Sequence, residues 1–103
     1  MTKNMDADIP RMRAAVAELQ ERIRSRYPTA TFAVGGGWDD PDGVYITATV
    51  DLDDPDEVID LIVERLLELQ IDEGLPVYVI PIRTPERVAA MLEERRAQER
   101  ASA

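Results

Sequence analysis

Residues 44–57 read VYITATVDLDDPDE, and this stretch decides the fold. Val44, Ile46, Ala48, Val50 and Leu52 alternate with Tyr45, Thr47, Thr49 and Asp51, the period of two that gives a strand one apolar face. At Asp54 the pattern changes. Asp54-Pro55-Asp56-Glu57 supplies an N-cap, a proline at the first helical position and an acidic first turn, with Glu57 where a capping box places it. The helix predicted from there runs to about Ile71. Its apolar set (Val58, Ile59, Leu61, Ile62, Val63, Leu66, Leu67, Leu69, Ile71) covers well over half the circumference, more than one sheet face buries. A second element or a second protomer is expected on it.

Upstream, Thr29–Gly35 repeats the strand pattern, with Ala30, Phe32 and Val34 alternating against Thr29, Thr31 and Ala33. The turn formers from Gly35 to Gly43 join the two strands as an antiparallel hairpin with a long tip. Before them, Ile9, Met12, Val16, Leu19 and Ile23 recur at helical spacing and predict a helix over about 8–26, with Asp8 as N-cap, Glu18 and Arg22 paired on the wet side, and Pro28 as the stop. The stripe is too short for a coiled coil, so packing on a sheet is its expected use. Downstream, Gly74 stops the second helix, and Leu75-Pro76-Val77-Tyr78-Val79-Ile80-Pro81-Ile82 is apolar throughout, predicting a strand buried on both faces or nearly so. Pro76 and Pro81 confine those positions to strand ends or a sheet edge. Thr84-Pro85-Glu86 opens a last helix with a short stripe, Val88, Met91 and Leu92.

The order α-β-β-α-β-α predicts an α+β fold: a two-layer sandwich of a three-stranded mixed sheet with helices mainly on one face. The crossover through the second helix is expected to be right-handed, making the second and third strands parallel. All 103 residues read as a single domain, with fraying expected at 1–7 and 95–103. The face away from the helices carries Thr29, Thr31, Ala33, Tyr45, Thr47 and Thr49, and is expected to meet solvent, the last helix or a partner.

Composition closes several chemistries. There is no His and no Cys, which removes imidazole acid–base steps, thiol chemistry and metal sites built on either group. The cations are eleven Arg and the single Lys3, and the only serines are Ser25 and Ser102, neither in a nucleophile elbow. No apolar run is long enough to span a bilayer, and MTKNMDADIP has no apolar signal-peptide core, so a cytoplasmic location is expected. Residues 28–82 hold thirteen acids against Arg65 alone, within a net charge of −9. That balance disfavours nucleic acid and membrane surfaces as partners and favours basic partners or divalent cations.

Two acidic clusters stand out, roughly 25 Å apart along the second strand. Asp39, Asp40 and Asp42 at the hairpin tip read as turn formers, because Trp38 and Thr49 stand where a calcium loop needs ligands. Gly35-Gly36-Gly37 lacks the helix and lysine of a phosphate cradle. Trp38 is read as folded over the core edge or as an interface anchor. At the other end, a parallel pairing brings Asp51 and Asp53 to Arg83, with Thr84 and Arg87 near, a place where two carboxylates and an arginine can hold Mg²⁺ and a phosphate. Cap chemistry and an Asp51–Arg83 ion pair account for the same residues.

The glycine-bearing first strand with Gly36, the aspartates Asp51 and Asp53 and the helix after them loosely resemble minimal nucleotidyltransferases, and this resemblance implies a metal-dependent nucleotide site. No serine follows Gly36, and the aspartates close the second strand rather than open it. The order from the first helix through the third strand also resembles the cytoplasmic domain of cation-efflux transporters, which implies a dimerising module; the metal-binding histidines of that family are absent here. Both resemblances are topological and cover about residues 10–82. The expectation drawn is a small non-enzymatic interaction domain, a homodimer or the binder of another protein, with no cofactor and with Trp38, Tyr45, Thr47 and Thr49 as interface residues. The alternative is the Mg²⁺ and phosphate site at Asp51, Asp53 and Arg83.

Overall fold

The strand quoted above forms as Val44–Val50 (β2) and takes the centre of the sheet, the position its alternation suits. The computed structural model describes residues 5–36 and 43–102; Trp38, Asp39, Asp40 and Asp42 lie outside the described residues. Thr31–Gly36 (β1) pairs antiparallel to β2, from Thr31↔Thr49 to Gly36↔Val44. Val77–Arg83 (β3) lies parallel to β2 on its other side, from Val44↔Val77 to Val50↔Arg83. Helices Met5–Arg26 (α1) and Glu57–Leu67 (α2) cover one face, and Pro85–Ser102 (α3) follows β3. This is the expected α+β sandwich with a mixed three-stranded sheet.

The core lies between that face and the two helices. Leu19 and Ile23 of α1, Ile46, Ala48 and Val50 of β2, Val58 and Ile62 of α2, Leu69 and Val77 are all at most 1% exposed. Each large side chain among them contributes about 1.5–3 kcal/mol on leaving water. Among the described residues, no buried side-chain polar atom lacks a hydrogen-bond partner.

Local hydrogen bonds bound the second helical segment at both ends. Asp54 Oδ1 accepts from the Asp56 amide at 3.1 Å, and Val58 N–H donates to Pro55 O at 3.0 Å, so the expected aspartate and proline form a turn that leads into α2, which begins two residues later than predicted, at Glu57. At the far end α2 continues as a π-helical segment, Glu68–Asp72, and Glu73 N–H donates five residues back to Glu68 O at 3.1 Å. Gly74 then takes φ 66°, which lets Leu75 N–H reach back to Leu69 O at 2.9 Å. That six-residue bond across a left-handed glycine terminates the helix.

Three expectations need correction. α1 begins at Met5 rather than at 8, which leaves Pro10 inside it. Val34, expected against the helices, is 51% exposed on the edge strand β1. β3 is not buried on both faces: Val77 is buried, but Ile80 and Ile82 are each 42% exposed. An unbroken apolar run specifies a strand but not which face is covered, and β3 is the other edge, the setting its internal Pro81 requires. Among the described residues no helix packs broadly on its second face, and α3 is exposed along most of its length. The helix remains regular to Ser102, and every residue from Pro85 to Ala101 is exposed except the half-buried Arg87 and Met91. The radius of gyration is accordingly 17.2 Å, where a rounded chain of this length gives about 13 Å.

Candidate functional site

The register arranges the face opposite α1 and α2 in three rows across the strands: Gly35, Tyr45 and Tyr78; Ala33, Thr47 and Ile80; Thr31, Thr49 and Ile82. None of these nine positions is charged. The Tyr45 and Tyr78 rings stack with centroids 4.8 Å apart and planes 27° apart, in the offset arrangement that aromatic pairs favour. Tyr45, Thr47, Thr49 and Tyr78 are half-buried beside the exposed Ile80 and Ile82. Of the sequence-predicted interface residues, Tyr45, Thr47 and Thr49 share this face. Tyr78, Ile80 and Ile82 were not told apart from the rest of β3, because a run apolar at every position carries no period.

At the end of the sheet the structure brings together the residues of the second candidate. Thr84 caps α3, its Oγ1 accepting from the Arg87 amide at 3.1 Å, and its own N–H donates to Val50 O at 3.2 Å. This places Arg87 over the strand ends, where Nε meets Asp51 Oδ1 at 2.8 Å and Nη1 meets Asp53 Oδ1 at 3.2 Å. The expected Asp51–Arg83 pair is replaced. Arg83 is level with Val50, one step out of phase with Asp51, and its Nε donates instead to Asp53 O at 2.8 Å. The hydrogen bond to Asp51 raises the Arg87 pKa further, so both carboxylates face a fixed positive charge. The arrangement clamps the first turn of α3 to the junction of β2 and α2. Among the described residues, no group of three or more carboxylates converges as a metal-holding set would.

A third charged centre was not foreseen. Arg65 reaches from α2 to α1 and holds Glu18 with two bonds, Nε to Oε2 at 2.7 Å and Nη2 to Oε1 at 3.0 Å, while Nη1 meets Glu68 at 3.1 Å and Glu73 at 3.3 Å. Arg22 adds a 2.9 Å contact to Glu18, the pair expected from spacing. The bond from Arg65 above all holds the Glu18 carboxyl below the usual glutamate range. The one available signal was that Arg65 is the sole cation between residues 28 and 82. Glu18, Arg22, Arg65 and Glu68 line an open groove of about 670 Å³ between α1 and α2, together with Asp60 and Leu61. Arg65 and Arg22 hold Glu18 there, and the contact joins the two helices.

Comparison with family models, with curated proteins and with solved structures finds no match to this chain.

Proposed function

We propose that this chain is a non-enzymatic interaction domain that self-associates through the open face of its sheet. The observation that carries the reading is that face itself: nine uncharged positions holding a stacked tyrosine pair and two half-exposed isoleucines, with both sheet-packing helices on the other side. An uncharged surface with aromatic anchors, on a chain otherwise rich in charge, is what protein–protein contacts use. Thr47 sits at its centre. The test is the mass in solution of the chain and of Thr47→Arg, which puts a charge in the middle row without touching the core. A dimer that the variant reduces to a monomer supports the reading; a chain that is monomeric throughout removes it.

The convergence of Asp51, Asp53, Arg83 and Arg87 favours a second reading, a site for Mg²⁺ with a phosphate. It requires Asp51 and Asp53 to exchange Arg87 for the metal. Amide spectra with millimolar Mg²⁺ decide it: shifts confined to Asp51, Asp53 and their neighbours, lost in Asp51→Asn with Asp53→Asn, support it, and an unmoved spectrum removes it.

A further inference from the structure

We infer that the outer side of α2, with the groove beside it, docks a basic amphipathic helix of another protein. This surface is separate from the sheet face proposed above for self-association, because α2 lies on the other side of the sheet.

The second helical segment carries more apolar residues than the core takes. Val58, Ile62 and Leu66 are buried, with Leu69 beyond them in the π-helical segment. Leu61, Leu67 and Ile71 remain 44%, 46% and 73% exposed. Steps of three and four residues set them on one side of the helix together with Asp60 and Glu64, which are also exposed. Among the described residues, α1 and β3 supply the main contacts to α2, and neither covers that side.

Charge on the same side has one sign. In the groove, Arg65 is held by Glu18, Glu68 and Glu73, and Arg22 by Glu18. Asp60 and Glu64 line that groove too, and neither has an ion-pair partner among the described residues. They belong to the stretch 28–82, in which thirteen acids face one cation.

Complementarity then selects the occupant. The same side of a second copy would set Asp60 and Glu64 against their own kind, and nucleic acid or an anionic membrane would meet the same repulsion. The α3 of a second copy brings no net positive charge, since its four Glu cancel its four Arg. A wholly apolar segment would cover two carboxylates without pairing them. A helix with one aliphatic stripe flanked by Arg or Lys meets both requirements: the stripe covers Leu61, Leu67 and Ile71, and the cations reach Asp60 and Glu64 along the groove. Together α2 and the π-helical segment offer it a seat about 24 Å long, room for roughly four turns.

The probe is a synthetic helix of leucine and lysine, about four turns long with its leucines in one stripe, added to the full chain and followed by backbone amide shifts. A control peptide carries glutamate in place of every lysine. Docking predicts saturable shifts confined to α2, residues 68–72 and the facing turns of α1, with no response to the control. Asp60→Lys with Glu64→Lys is expected to weaken binding by about tenfold or more, and Leu67→Ser with Ile71→Ser to weaken it as well. All four positions are exposed, and unchanged amide positions for Ile46 and Val50 would confirm that each variant keeps the fold. An unmoved spectrum, shifts centred elsewhere, equal binding of the control peptide or binding undiminished in either double variant overturns the proposal. So do concentration-dependent shifts along α2 in the chain alone, which would mean that a second copy covers this side.

Discussion

Glu18 shows how one residue ties the helix layer together. Its carboxyl is held below the ordinary value by Arg65 and Arg22, so the folded state binds its proton less readily than the unfolded chain does. A lowered carboxylate pKa stabilises the fold above the unfolded value, and that stabilisation disappears as pH falls through the folded one. The loss therefore belongs below about pH 4.3, the unperturbed glutamate value. Glu18→Gln is expected to flatten the stability curve in that acid range in urea unfolding, while leaving the neutral-pH fold intact. A curve with unchanged acid slope would show that the pair carries no linkage. Gly74 is a second single-residue case. A Cβ there meets nothing within 4 Å, so the cost of Gly74→Ala is backbone strain at φ 66°, about 1–2 kcal/mol in chemical unfolding. Leu19→Ala, at a position with 0% exposure, is expected to cost about 2–5 kcal/mol in the same measurement.

At the scale of the element, the sequence was legible wherever period and punctuation agreed. The alternation from Val44 to Leu52 placed β2, Asp54-Pro55 and Thr84-Pro85 placed two helix starts, and Gly74 placed a helix stop, because each depends only on neighbouring backbone groups. What failed depended on distance. The run from Val77 to Ile82 could not state that one face stays open, since that follows from where α3 goes. Glu18 lies 47 residues from Arg65 and Asp51 lies 36 from Arg87, and no local pattern names either pair. Asp51, Asp53, Arg83 and Arg87 meet at one junction, but the expected Asp51–Arg83 ion pair does not form: the alternation of strand residues places Arg83 out of phase with Asp51, so it bonds Asp53 O and Arg87 takes Asp51. Removing the true partner tests the clamp: Arg87→Ala is expected to speed amide exchange in the first turn of α3 while leaving exchange at Ile46 and Val50 unchanged. Equal protection of that turn in both proteins would mean that the Thr84 cap alone holds it.

The whole molecule is a two-layer body with a helix extended from one end, and its function is argued from what that shape leaves uncovered. An extended chain migrates as if heavier than it is, so gel filtration alone would mislead. Light scattering reads mass directly, and it tests the central claim most simply: the chain at tens of micromolar, beside Thr47→Arg. The account predicts twice the chain mass of 11.6 kDa for the first and 11.6 kDa for the second. A single-chain mass for both, at a concentration where half-exposed apolar surface of this extent should associate, would contradict it.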